Sequence, residues 1–118
     1  MIRLNTDLIC YAILKENEVD IVSLYGSHTM SNKARVKKVL VRSSFVELTV
    51  YPIGSRGAIL KTPQEYLVNP SQILMLESAD EGTMVYPTNG KGFHIRKSLI
   101  EVHRMLKYSG FSRIEDVV

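Results

Sequence analysis

The residues that most often carry catalytic or metal chemistry are sparse in this chain. Three histidines, His28, His94 and His103, are scattered without the close spacing of metal ligands. The single cysteine, Cys10, has no histidine near it in sequence and is expected to be a buried apolar filler. The glycine-rich residues 54–57 lack the Lys-Ser/Thr of a phosphate-binding loop and predict a turn. We therefore predict a protein that is not an enzyme and uses no metal and no cofactor.

A run of cations offers a different chemistry, which is attraction for phosphate. No acidic residue occurs between Ile21 and Val46, and most of the basic residues there are closely spaced. They are Lys33, Arg35, Lys37, Lys38 and Arg42. A positive stripe of this kind can displace counterions from a nucleic-acid backbone. A solvated loop and a strand edge guarded by lysines would show the same pattern, so charge alone leaves both interpretations open.

Composition is that of a soluble globular chain. The 118 residues are 45% hydrophobic and 23% charged, with a formal net charge of +3, which suits one domain or two very small ones. One cysteine cannot build a disulfide framework within the chain, which fits a reducing compartment. The apolar run from Leu8 to Leu14 is too short to span a bilayer, and no cleavage site follows it. We predict a cytoplasmic protein with no membrane association.

The first half is expected to hold the basic run mainly in loops and strands. Residues 6–17 favour a helix slightly, with Thr6 or Asp7 as its cap, although their Ile and Tyr content also fits a strand. A polar loop is expected over residues 28–34. Pro52, Gly54 and Gly57 predict a turn farther along the chain. Strands are expected over residues 19–25, 36–42, 45–51 and 58–61.

The second half carries clearer signals for turns and for helix ends. The dipeptide Asn89-Gly90 is a strong signal for a β-hairpin. Ser98 and Glu101 have the spacing of a capping box at the start of a helix, and Gly110 is expected to end that helix. Strands are expected over residues 65–69, 73–76, 83–86 and 93–96, with a polar loop over residues 78–82. The run over residues 73–76 is expected to be a core strand.

These elements together predict an α+β fold, a small and mainly antiparallel β-sheet domain with one or two short helices. A boundary near Pro63 separates a strand-rich segment, residues 1–62, from residues 63–118, and the two are expected to pack as one compact domain. Alternation along residues 93–96 places Phe93 and Ile95 inward and His94 and Arg96 outward.

Several segments of the second half follow one another in a recognisable order. They are Tyr66-Leu67-Val68, Ile73 to Ser78, Thr83 to Tyr86, Ile95 to Val102, and Phe111 to Ile114. In this order and spacing, residues 65–118 resemble the LytTR family of DNA-binding domains. The resemblance implies a compact β-rich unit with a short helix, which places loop residues into successive major grooves. It also implies DNA contacts near Thr83 and Arg113, which match family contact positions.

We therefore predict a small bacterial or phage transcriptional regulator that binds double-stranded DNA. The candidate contact residues are those of the basic run and the two family positions: Lys33, Arg35, Lys37, Lys38, Arg42, Thr83 and Arg113. The alternative is a non-enzymatic protein-interaction module, an adaptor or antagonist of a regulator that has lost DNA binding. It is suggested by Glu115 and Asp116, because carboxylates at a family position near DNA would repel phosphate. The partner would then be a second copy or another protein.

Overall fold

A computed structural model describes residues 1–108 and 110–112 of the protein. Among these residues, eight strands and two α-helices alternate along the chain. The strands are β1 (Ile9–Leu14), β2 (Val19–Ser23), β3 (Gly26–Met30), β4 (Val46–Pro52), β5 (Gln64–Val68), β6 (Ile73–Ala79), β7 (Gly82–Pro87) and β8 (Phe93–Ile95). Helix α1 (Lys33–Arg42) lies between β3 and β4, and helix α2 (Leu99–Leu106) follows β8. No described helix is long and apolar enough to cross a membrane.

All eight strands join one sheet in the order β3-β2-β1-β5-β4-β8-β7-β6. Every neighbouring pair in this order is antiparallel. The predicted α+β class, a mainly antiparallel sheet with short helices, is confirmed. Strand β5 begins just after Pro63 and pairs with both β1 and β4, so the segments on either side of that proline share one sheet.

The sheet folds back on itself, so that the turn after β7 contacts the start of β1. The Sγ of Cys10 lies 3.3 Å from Oγ1 of Thr88. Asn89 donates from Nδ2 to the carbonyl oxygen of Ser23, which ends β2, at 2.5 Å. The hairpin predicted at Asn89-Gly90 is therefore present, and its turn contacts strands β1 and β2. Gly90 has a φ of +87°, and a Cβ there would collide with the Tyr11 ring.

An aromatic cluster fills the inner face of this folded sheet. The rings of Tyr11 and Tyr66 stack with centroids 5.0 Å apart, and Phe93 meets both edge-on. Burial, with the nearby Tyr11, raises the pKa of Tyr66 to about 12, so its phenol stays neutral in the core. Helix α2 closes this side through Val102 and Leu106, both buried in the same cluster.

Helix α1 covers the outer face, and its presence corrects the sequence prediction of a strand over residues 36–42. The side chain of Asn32 caps the helix by accepting from the backbone N–H of Arg35 at 3.4 Å. Val36 and Leu40, one helical turn apart, are buried against β1, β2 and β5. The three valines of this helix favour a strand locally, but burial of the Val36–Leu40 stripe outweighs that propensity. Of the polar loop predicted over residues 28–34, residues 28–30 belong to β3 and residues 33–34 to α1, so the connection shrinks to Ser31 and Asn32.

Strand β1 replaces the helix that residues 6–17 slightly favoured. Tyr11 belongs to the inner cluster and Ala12 to the cluster under α1, and both are buried. A strand covered on both faces loses the apolar–polar alternation that identifies strands in a sequence. The continuous apolar run of β1 therefore fits a helix as well as a strand by sequence, and its neighbours in the sheet decide between them.

Three smaller expectations also change. Residues 58–61 form no strand, and their contact with β4 is limited to an isolated bridge between Ile53 and Ile59. Strand β6 is an edge of the sheet, not a core strand, with Leu74 exposed to 73%. Helix α2 begins at the predicted capping box, where Ser98 accepts from the N–H of Glu101 at 3.2 Å. It ends at Lys107, whose φ of +52° supplies the left-handed turn expected from Gly110.

Candidate nucleic-acid interface

On helix α1, three residues of the basic run form an exposed stripe and the other two lie at the side of the helix. Arg35, Lys38 and Arg42 are exposed on the helix surface opposite Val36 and Leu40. Their spacing of three and four residues places them on one face of the helix. The stripe extends for about 10 Å along the axis at 1.5 Å per residue. Three cations from the predicted set therefore share one solvent-facing surface, which we call the α1 stripe.

Lys33 and Lys37 lie on the flank of α1, where both are partly buried. The Nζ of Lys37 is 2.8 Å from Oε1 of Glu47 on β4. An ion pair this exposed contributes less than about 1 kcal/mol to stability. It does draw Lys37 toward the sheet. Of the five basic candidates, Arg35, Lys38 and Arg42 are therefore the best presented for a phosphate.

Thr83 and Arg113 are the two contact positions that the LytTR resemblance implies. Thr83 is fully buried, and its Oγ1 donates to the carbonyl oxygen of Lys97 at 2.8 Å, so its side chain is not available to DNA. The polar loop expected before it shrinks to a tight turn at Asp80 and Glu81, both acidic. Arg113, with Glu115 and Asp116, lies outside the described residues.

The outer face of the sheet continues from α1 onto β4 and β8. Because side chains alternate along a strand, Glu47, Thr49 and Tyr51 of β4 share the face that carries α1. The Lys37–Glu47 ion pair confirms that assignment. Tyr51 lies opposite His94 in the β4–β8 ladder, so His94 is on this outer face as well.

Arg96 is a cation on this face that the sequence placed outward but did not select as a contact. It follows His94 by two residues and is exposed. Its guanidinium carbon lies 3.9 Å from the centroid of the Tyr51 ring, a close cation–π contact. The sequence did contain a signal, since alternation put Arg96 outward. Only the β4–β8 pairing shows that Tyr51 lies beneath it.

Carboxylates interrupt the positive surface. Glu65 of β5 lies opposite Thr49 in the ladder and accepts from its hydroxyl at 2.6 Å. It therefore sits, like Glu47, between the α1 stripe and Arg96. Farther along the outer face, Tyr86 donates from its hydroxyl to Glu77 at 3.1 Å. Partial burial and this carboxylate raise the pKa of Tyr86. Among the described residues, the candidate phosphate contacts on this face thus fall into two separate parts, the α1 stripe and Arg96.

No protein-family model, no curated protein and no solved structure matches this chain. The resemblance to LytTR domains therefore stays a prediction from the sequence.

The histidines and Cys10 do not come together. His28 is exposed on β3, His103 packs its ring against Phe111, and Cys10 is buried beside Thr88. Across residues 1–108 and 110–112, no three His, Cys, Asp or Glu side chains could jointly hold a metal ion. His94 is 4% exposed, and its Nε2 has no hydrogen-bond partner among the described residues. His94 therefore lies on the outer face, as its position in the strand predicted, but its side chain is buried there.

A cavity of about 520 Å³ opens where α1 and α2 both end. Its lining includes Ser44, Asn69, Ser71 and Lys107. The amide of Asn69 is fully used, because it accepts from the N–H and Oγ of Ser71 and donates to the carbonyl oxygens of Thr6 and Ile9. This asparagine ties the N-terminal segment to β5, so its role at the cavity is structural.

Proposed function

We propose that this protein is a small, non-enzymatic transcriptional regulator that binds double-stranded DNA through α1. The observation that supports it is the α1 stripe, in which Arg35, Lys38 and Arg42 are exposed on one face of a helix without acidic residues. Such a stripe can neutralise backbone phosphates and release their counterions. A cytoplasmic location fits the free thiol of Cys10.

The basic residues at the start of α1 lower the stability of the helix, which favours a functional role for them. The first turn carries Lys33 and Arg35 and no acidic residue. A helix N-terminus is partly positive, so each exposed cation there costs up to about 1 kcal/mol. Residues that break a local stability rule are common at binding surfaces, because binding to an anion compensates for the cost. A face needed only for solubility would be served equally well by acidic residues in that turn.

The α1 stripe is expected to supply affinity rather than choice of sequence. Contacts to phosphates position a protein on the duplex, while sequence is read at base edges by other side chains. Binding to DNA of random sequence is therefore the first activity to test. It should be weak at physiological salt, with a dissociation constant of about 10⁻⁴ to 10⁻⁶ M, as for other non-specific complexes.

Fluorescence anisotropy with a labelled random duplex tests this proposal. The three phosphate contacts of the α1 stripe alone give a slope of about −2.7 for log affinity against log salt, so affinity should fall at least roughly 40-fold between about 50 and 200 mM salt. An unlabelled duplex should compete away the signal. Absence of binding at the lowest salt, or binding that salt leaves unchanged, would exclude DNA as the partner.

A second candidate function, a homodimeric protein-interaction module, is favoured by the open edge at β6. This strand ends the sheet, and its bulged end exposes Leu74 to 73% and Met75 to 44%. Antiparallel pairing of two copies centred on Leu76 would set Glu77 of one copy opposite Met75 of the other. No two carboxylates would then face each other across the new ladder. A second copy of the chain is thus the partner that this edge fits.

Light scattering coupled to size-exclusion chromatography tests that candidate. We expect the wild-type protein to be dimeric at high concentration and the Leu74→Lys/Met75→Lys variant to be monomeric, because edge lysines oppose strand pairing. Ile59→Lys changes an exposed apolar residue away from β6 and serves as the control. A wild-type monomer at the highest soluble concentration would rule the candidate out, as would a dimer that survives both lysines.

A further inference from the structure

The contact between Arg96 and Tyr51 holds an exposed cation in place before any ligand binds. The guanidinium lies 3.9 Å above the Tyr51 ring, and Arg96 remains exposed. The ion pairs of the described residues join Lys15 to Asp20 and Lys37 to Glu47, so none of them engages Arg96. Its guanidinium group is held against an aromatic face, and none of its N–H donors bonds to another residue within 1–108 and 110–112. We infer that Arg96, positioned by Tyr51, binds a DNA phosphate on the same face as the α1 stripe.

An arginine stacked on Tyr51 is better suited to binding a phosphate than a lysine would be at the same position. A guanidinium is planar and carries its donors around its edge, so it can lie on an aromatic ring and still bind two oxygens of one phosphate. The contact with the Tyr51 ring already restricts the guanidinium, so less side-chain freedom is lost when the phosphate binds. An ammonium on a flexible chain would have neither advantage.

The backbone that carries Arg96 is fixed on both sides. The residue before it in the outward register, His94, is buried and paired with Tyr51 across the ladder. The residue after it, Lys97, has its carbonyl oxygen bound by the buried hydroxyl of Thr83. Arg96 therefore directly follows the end of β8 and lies between two residues that are held in place. Thr83, which cannot itself touch DNA, contributes to this support.

The two carboxylates between Arg96 and the α1 stripe are already engaged. Glu47 is paired with Lys37, and Glu65 accepts the hydroxyl of Thr49. Lys37 offsets much of the charge of Glu47, which reduces the repulsion that a phosphate backbone would meet there. Glu65, whose partner is a neutral hydroxyl, keeps its negative charge. The arrangement fits a duplex held at two points of the same face.

The test is a double-mutant cycle on DNA affinity, and it rests on the proposed function. Arg96→Ala should weaken binding about tenfold at roughly 50 mM salt and make the salt slope shallower by about 0.9, the values for one phosphate. Tyr51→Leu should weaken binding about threefold alone and have no further effect in the Arg96→Ala background. Tyr51→Phe keeps the stacking ring and should bind like the wild type. Arg56→Ala removes an exposed arginine elsewhere and is the matched control.

The outcomes separate the two proposals. If changes in the α1 stripe weaken binding while Arg96→Ala matches Arg56→Ala, the Arg96 contact is refuted and DNA binding by α1 stands. If Tyr51→Leu and Arg96→Ala act additively, Tyr51 does not position Arg96. If the wild-type protein shows no salt-dependent binding, both proposals fail together. Circular dichroism and thermal melts must show the same fold for every variant, and a Tyr51→Phe variant that melts normally but loses affinity would also refute the stacking role.

Discussion

Simultaneous replacement of Arg35, Lys38 and Arg42 by alanine is expected to abolish measurable binding to random duplex DNA at moderate salt. Each side chain is exposed on α1 and is proposed to neutralise one phosphate. Loss of three contacts should reduce affinity about a thousandfold at roughly 50 mM salt and remove a salt slope of about 2.7. The fold should survive, because exposed alanines favour a helix and the buried Val36 and Leu40 are untouched. Anisotropy titrations at several salt concentrations provide the measurement.

A matched variant separates local charge from net charge. Arg56→Ala, Lys61→Ala and Lys91→Ala together also remove three exposed cations, and both triple variants take the formal net charge from +3 to 0. Only the α1 variant should lose affinity by orders of magnitude. Equal losses in both would mean that DNA responds to the total charge of the protein and that α1 is no interface. An α1 variant that binds as tightly as the wild type would leave the basic helix as a solubilising surface.

Phe93→Ala should lower the free energy of unfolding by about 3–5 kcal/mol, the usual cost of deleting a large buried ring. Phe93 is completely buried and meets both Tyr11 and Tyr66 edge-on. It joins β8 to β1 and β5 across the inner face of the sheet, so a cavity there would loosen the packing among these strands. Total stabilities of small domains are about 5–15 kcal/mol, so this single change should remove a large part of the stability of the fold. Urea denaturation followed by circular dichroism measures the change.

Tyr25→Ala is the control for this effect. Tyr25 is also aromatic, but it is 85% exposed at the β2–β3 turn. Its replacement should change the free energy of unfolding by less than about 0.5 kcal/mol. A loss below about 1 kcal/mol for Phe93→Ala would show that the inner faces of the sheet do not pack around this ring. Such a result would also question the close approach of β7 and β1.

The parts of the fold that follow from the sequence are those fixed by short-range chemistry. The hairpin at Asn89-Gly90 depends on a residue with positive φ, and Gly90 supplies it. The start of α2 depends on the Ser98–Glu101 capping box, whose two side chains also contact each other at 3.1 Å. Interactions over two or three residues do not require knowledge of distant neighbours.

Helix α1 and strand β1 depended on the tertiary structure. Valine-rich residues 36–42 became a helix because β1, β2 and β5 bury Val36 and Leu40, and the apolar residues of β1 became a strand because it is covered on both faces. These outcomes are decided by partners far away in sequence, which local propensity does not contain.

The candidate site divides in the same way. The sequence by itself identified the basic run, because charge content needs no structure. Only the tertiary structure separated Arg35, Lys38 and Arg42 from the ion-paired Lys37, because helix geometry decides which side chains share a face. It alone buried Thr83 and set Tyr51 beneath Arg96, because strand pairing joins residues that are dozens of positions apart.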